Sequence, residues 1–530
     1  MAMANGETGT GPLRAGTGSQ RGDVASSGGG GAAGTAAAGT AAGENPTPFL
    51  LLILFMVAMI LPVSFDVGIR LSPIRVFLLA AFAPIMIYAV SGRIGRWRAA
   101  DYTVVVFGLW MVATMFVNEG AEKLPYGTVL ALELVGGYFL GRLMVRSAAD
   151  WKRVVKLHLW MMAIMAPFAA VELFTGIQLW AIALDQIGDV VWRGTSSRPR
   201  MGMERVLAGF EHPILFGLFC SMTASSIFYI WRDRIWPALA GLGFVTAMTF
   251  GSLSSGPLLS LMIQASLAGW NEVTKGRWKL LAWSFGAVWV LLSLLSNRGP
   301  LILFIEKMTF SPHNAWMRVN QWTFAWAEVE RNPIFGIGLG EWAHPYWMSD
   351  SIDAFWLATA LRYGLLGLVM LLVAYFFMAR AVFSAKPLAP LDARYRIGWG
   401  IGLIGAMFTL TTVHIWDAIS VFVMFYLGAG GWYVDAAGRT ETSDEAAAAP
   451  EDTAGTRYRR NLGPRHSRGP GRGAGGAVPA LAVAAEGPGA ADPQPPVTPG
   501  PDRPARQRAR SRPSPETRAE IRRLPSHRRP

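Results

Sequence analysis

Between residues 49 and 435 the chain alternates long apolar runs with short polar breaks, and the runs are of membrane-crossing length. A helix needs about 20 apolar residues to span the hydrocarbon core. The pattern predicts helices near 49–66, 74–91, 102–118, 126–145, 154–175, 212–231, 236–252, 256–271, 280–297, 352–379, 398–416 and 418–435. The expected fold is an all-α polytopic membrane protein of about 12 transmembrane helices, with a large external loop between the ninth and the tenth.

The charges between the runs orient them. Arg93, Arg96 and Arg98 follow the second run, and Arg142, Arg146, Lys152, Arg153 and Lys156 follow the fourth. Arg232 and Arg234 follow the sixth, Lys275, Arg277 and Lys279 the eighth, and Arg380, Lys386, Arg394 and Arg396 the tenth. Short odd-numbered exits hold only Arg70, Arg75 and Lys123. By the positive-inside rule both termini are cytoplasmic. Two odd exits are different. The loop at about 176–211 carries Arg193, Arg198, Arg200 and Arg205, and the loop at 298–351 carries Arg298, Lys307, Arg318 and Arg331. Long external loops tolerate charge, yet these arginines sit near the membrane boundary, where a bilayer-borne anion would lie.

Composition narrows the picture. Of 530 residues, 52% are hydrophobic and 16% charged, too few charges for a soluble domain of this length. The net charge of +13 belongs to membrane loops and a basic tail, so it implies no nucleic-acid partner. Cys220 is the single cysteine, which excludes an intramolecular disulfide and a cysteine-based metal site. Residues 1–47 are Gly/Ala-rich and residues 436–530 Pro/Gly/Arg-rich; both read as disordered cytoplasmic tails around a membrane domain at 48–435.

The loops hold the candidate chemistry. The first ends at Glu211-His212-Pro213, with Pro213 suited to a first helical turn. Glu211 and His212 then lie at the membrane–water boundary, where a helix dipole or a cap would account for either. In the second loop, Trp322, Trp326 and Val329 recur at i, i+4 and i+7, with Asn320, Gln321 and Glu328 elsewhere on the wheel. This predicts an interfacial amphipathic helix with its aromatic residues toward lipid, or else a core helix of a small external domain. Gly336, Gly338 and Gly340 follow at alternate positions, where backbone amides can approach a ligand. Glu341, His344 and Asp350 precede Asp353, which is placed in the first turn of the tenth helix. Arg362 lies inside hydrocarbon depth, where a guanidinium is costly and marks a functional site, with Glu133 or Glu172 as possible partners.

In order along the chain stand Gly209-Phe210-Glu211-His212-Pro213, Ser254-Ser255-Gly256-Pro257, Arg318 through Asn332-Pro333-Ile334-Phe335-Gly336-Ile337-Gly338, Asp353-Ala354-Phe355-Trp356-Leu357 and Arg362-Tyr363-Gly364. This order resembles the O-antigen ligase and Wzy-type polysaccharide polymerase superfamily over most of 49–435. The resemblance implies a GT-C-like, metal-independent glycosyltransferase without cofactor, in a bacterial inner membrane. Its substrate would be a polyprenyl-pyrophosphate-linked oligosaccharide at the external leaflet. Ligases of the superfamily carry a His-Asn pair where this chain has Asp353 and Ala354, and a Ser-Arg-Gly where it has Ser254-Ser255-Gly256. Both departures favour an exopolysaccharide polymerase over a ligase. A polysaccharide transporter or flippase is the other class that a twelve-helix chain suits, although the two long external loops are asymmetric. Phosphate needs cationic donors, for which Arg200, Arg205, Arg318 and Arg362 qualify, with Gly336 and Gly338 beside them. The base that takes the acceptor proton is expected to be Asp353, with Glu211, His212, Glu341 and His344 behind it. Membrane lipid is an expected partner, and chain-length regulators or export proteins are others that the resemblance brings.

Overall fold

The computed structural model describes residues 49–438 apart from 67–69, 187–193, 195–198, 298, 308–311 and 387. Both expected tails lie outside the described residues, except 436–438, which extend the last helix. Arg193, Arg198 and Arg298 lie outside them too.

Helices dominate. In order they are α1 (Phe49–Ile60), α2 (Pro73–Val90), α3 (Ala99–Glu119), α4 (Leu124–Met144), α5 (Ala148–Thr175), α6 (Leu179–Asp185), α7 (Pro213–Ser221) and α8 (Ala224–Trp231). There follow α9 (Ile235–Gly251), α10 (Ser255–Thr274), α11 (Trp278–Leu295), α12 (Pro300–Lys307), α13 (Pro312–Arg331), α14 (Phe355–Ser384), α15 (Pro390–Thr409) and α16 (Ala418–Ala429). One short antiparallel hairpin pairs β1 (Phe65–Asp66) with β2 (Arg70–Leu71). Every apolar run of the sequence is helical over most of its length. Among the described residues, eight stretches are long and apolar enough to cross a membrane: α2, α3, α4, α5, α7 with α8, α11, α14, and α16 continued to Gly438. The helices α1 and α9 are apolar but shorter. The helices α10 and α15 each have 20 residues, and α10 buries Ser260 and Gln264.

Several expected boundaries move, for reasons of backbone chemistry. The first run stops at Ile60, ahead of the β hairpin. Residues 411–416 form a turn and loop instead of continuing α15. Pro213 opens α7, and His212 caps it: the Nδ1 of His212 accepts the Ile214 amide at 3.1 Å. Asp353 precedes α14, whose N-cap is Ala354, so the expected placement in the first turn does not hold.

The tightest packing joins α4 to α16, where Gly137 and Gly141 are four residues apart on α4. A Cβ at Gly137 would sit 2.6 Å from the Val421 carbonyl oxygen, so only glycine allows this approach. Buried charge ties the same helices further. Arg142, almost wholly inaccessible, reaches Asp101 at 3.2 Å and Asp435 at 3.3 Å, and donates to the Arg96 carbonyl at 3.2 Å. Asp101 also accepts the Tyr138 hydroxyl at 2.6 Å. On α2, Arg75 pairs with Glu133 and lies 3.4 Å from Asp417. By contrast α11 buries no residue at all.

The helix α14 is broken at Gly364, where φ is 74° and ψ is 170°, a region reserved in practice for glycine. The segment after α13 docks on this break. Ile337 N–H donates to the Leu361 carbonyl at 2.8 Å, Gly338 N–H to Arg362 at 3.2 Å, and Leu365 N–H to Pro333 at 2.8 Å. A Cβ at Gly364 would also meet the Pro333 carbonyl oxygen at 2.8 Å. Gly364→Ala is therefore expected to destabilise the protein by about 1–3 kcal/mol. A drop in melting temperature in detergent checks this; an unchanged melting curve would show that the break tolerates a side chain.

Candidate functional site: an arginine cluster at the loop junctions

Three arginines from two loops meet beside the turn between α9 and α10. Arg205 is 8% exposed; its Nη2 donates to the Ser254 hydroxyl at 2.7 Å and its Nε to the Ser252 carbonyl at 3.3 Å. Arg200 Nη1 donates to the Leu253 carbonyl at 3.0 Å. The loop that carries both is pinned from α5, where the Glu172 carboxylate accepts the Leu207 and Ala208 amides at 3.0 and 2.9 Å. The third arginine, Arg318, comes from α13 and is 7% exposed.

The helix α13 shows why Arg318 points inward. Its buried stripe is Arg318, Gln321, Ala325 and Val329, and it packs against Leu357, Ala360 and Leu361 of α14. Val329, expected on the same face as Trp322 and Trp326, is packed against protein, Gln321 is inside, and Trp326 stays exposed. Gln321 is a clamp, because its amide donates to the Ser351 carbonyl at 2.9 Å and its oxygen accepts the Asp353 amide at 3.2 Å. Asp353 is thereby held with its carboxylate 3.8 Å from the Arg318 guanidinium, longer than a hydrogen bond.

Electrostatics follow from this crowding. Burial pushes Arg205 down to about 10, and neighbouring Arg200 pushes the same way. Burial also lowers Arg318, which Asp353 opposes and Arg200 reinforces. The Asp353 side chain is 47% exposed, with protein packed around the rest of it. That enclosure raises its carboxyl above the usual range, while Arg318 draws it down. Among the described residues the guanidiniums of Arg205, Arg200 and Arg318 stand in series, with Arg200 lowering the pKa of the other two, and a multivalent anion would suit such a row.

No family model matches the chain, and neither does any curated protein.

The other expected site residues fall on two sides of this cluster. His212 is close: burial, then Arg205 and Arg200, lower its pKa to about 4. Its Nδ1 lone pair is taken by the Ile214 amide, so the ring is a neutral donor through Nε2 and no general base. Glu211 pairs with Arg70 and accepts the Trp416 indole N–H at 2.5 Å, which turns it toward a separate hollow. His344 is engaged in its own loop, 3.1 Å from Asp350, and Glu341 is exposed. Gly336 and Gly338 were expected to offer amides to a ligand, but those amides bond to Asn332 and Arg362 in the packing at the α14 break. Arg362 takes neither expected partner, since Glu133 pairs with Arg75 and Glu172 holds the Leu207 and Ala208 amides.

One residue was missed. His414, in the turn before α16, packs its ring 6.2 Å from Phe355 and 5.9 Å from Trp416. Burial, then Arg362, lower its pKa to about 3, so it too is neutral. Its Nδ1 is buried without a hydrogen-bond partner among the described residues. A lone histidine between two apolar runs gives no sequence signal of such a placement. Backbone strain marks the same region: among the described residues, Met201, Ala208, Leu253 and Asp417 are four of the five non-glycine residues with positive φ. Strain of this kind persists where surrounding structure over-determines it, and it gathers at functional sites.

Proposed function

We propose that the chain is a membrane glycosyltransferase that joins oligosaccharide repeats carried on polyprenyl pyrophosphate into a polysaccharide. In this reading it crosses a bacterial cytoplasmic membrane twelve times in a GT-C-like arrangement, keeps both termini inside, and works at the external leaflet. The observation that carries the proposal is the run of neighbouring guanidiniums, Arg205 by Arg200 and Arg200 by Arg318, whose last member faces Asp353.

The chemistry fits the arrangement. An acceptor hydroxyl oxygen attacks the anomeric carbon of the donor; the new C–O bond forms as the bond from that carbon to phosphate breaks. The leaving pyrophosphate gains negative charge, which desolvated guanidiniums stabilise more strongly in the site than in water. Asp353 takes the acceptor proton, a task that suits a carboxylate with raised pKa. The rate should therefore fall as pH drops through a value above the ordinary carboxylate range near 4. A pH–rate profile of polymerisation checks this, and the limb should vanish from the residual rate of Asp353→Asn.

The deciding experiment incubates the purified protein with lipid-linked oligosaccharide and sizes the product. A ladder supports the polymerase. A single adduct on a second acceptor makes the protein a ligase, and lipid moved without bond formation makes it a transporter.

A further inference from the structure

Beside the arginine cluster lies a small hollow that opens to solvent, walled by Met59 and Leu61 at the end of α1, and by Arg70, Glu211, Trp416 and Asp417. Its charges are organised differently. Glu211 pairs with Arg70 and accepts the Trp416 indole. Asp417 accepts the Ser72 hydroxyl at 2.6 Å and lies 3.4 Å from Arg75. With Glu133, the other partner of Arg75, three carboxylates thus stand against two guanidiniums in these pairs, with no excess of positive charge. Such a hollow does not favour an anion. It suits a neutral ligand rich in hydroxyl groups, which can donate to carboxylate oxygens and lay an apolar face on an indole.

Two further observations give the hollow a built character. Asp417 is held at φ 50° and ψ −129°, a conformation that L residues rarely adopt, with Ser72 and Arg75 gripping its carboxylate. Across the hollow, the backbone at Gly209 takes φ 103°, where a Cβ would lie 2.8 Å from the Ile60 carbonyl oxygen. Asp417 is therefore held against local preference, while Gly209 allows a backbone approach that a side chain would block. Trp416 is the partition. Its ring lies 6.2 Å from His212, which neighbours the arginines, while its N–H serves Glu211 inside the hollow.

We propose that this hollow is the subsite for the sugar of the acceptor glycan, next to but separate from the arginines that hold the donor's pyrophosphate. The assignment rests on the proposed glycosyl transfer for its biological meaning, but its ligand chemistry can be tested alone. The probes are two: the sugar-only oligosaccharide pool freed by mild acid from the lipids of a host lacking this chain, and a polyprenyl diphosphate bearing no sugar. Each is titrated against the protein in nanodiscs. Ala58→Phe fills the hollow from α1, and Asp417→Asn removes one carboxylate while keeping its shape. Both variants should weaken the oligosaccharide by at least about tenfold (roughly 1.4 kcal/mol), raise the acceptor KM in parallel, and leave diphosphate binding within about twofold. Ala58→Phe guards against misfolding of the strained Asp417 turn. The subsite is overturned if the wild type binds no oligosaccharide, if both variants bind it like the wild type, or if diphosphate binding falls equally. Wild-type protein that binds the oligosaccharide in the hollow but forms no glycosidic bond sinks the proposed function and spares the subsite. Polymerisation with an unchanged acceptor KM does the reverse.

Discussion

Arg318→Ala abolishes polymer and leaves single lipid-linked repeats to accumulate, although the protein still inserts. This is the largest functional effect expected, and its reason is placement. Arg318 is presented from the buried stripe of α13, opposite Asp353 and within the field of Arg200. Removing one preorganised donor from a desolvated site costs about 10²–10³-fold in rate. Here the loss also strips Asp353 of its opposing cation, so the carboxyl rises further and the base is less available at a given pH. Arg318→Lys keeps the charge but lacks the planar fork, so rescue is partial. Product sizing beside a membrane-fraction blot reads all three proteins; wild-type ladders from Arg318→Ala would remove the cluster from the mechanism.

The largest expected effect on stability lies elsewhere. Arg142→Ala leaves Asp101 buried with no exposure and without its guanidinium, and Asp435 loses one of its two arginines. Breaking a buried pair from one side costs about 3–5 kcal/mol, because a charge is stranded. Thermal melting in detergent should show a large drop. The double variant Asp101→Asn with Arg142→Met should recover much of it, since neither partner then strands the other. If the double variant melts no higher than Arg142→Ala, the stranded charge is not the cause.

What could be read in the sequence follows from what its patterns encode. Apolar run length reports the solvent that a helix must satisfy, so each expected run is found as a helix. Hydropathy is blind to where the backbone must turn. The hairpin at 65–71, the late start of α14 and the break at Gly364 are set by tertiary contacts, and Gly364 looks in sequence like any other glycine in a membrane helix. The arginines were visible as charges in the wrong loops. Their grouping was not, because it depends on Ser254 and the Leu253 carbonyl reaching them from a turn about fifty residues away. Face assignment failed on α13 for a related reason. Val329 was grouped with the outward aromatic residues and Gln321 with the opposite side, whereas the packed side carries Arg318, Gln321 and Val329 together. Polar residues that build a site break the amphipathic rule used to find the core. His212 illustrates a further limit: an imidazole seems an obvious base until its acceptor nitrogen is found capping α7.

The helix α11, which buries no side chain and meets α15 through the Phe285 ring against Phe408, contributes parity. Ser254 stands at the start of α10 and Arg318 arrives after α11, yet both belong to one cluster. The chain therefore has to travel away along one rod and come back along another before α13 can be delivered. For that errand any greasy segment of the same length would serve. Shuffling the order of the other residues in α11 while keeping Phe285 and the composition should be silent, whereas changes to the turn at Ser254 and the face of α13 should not.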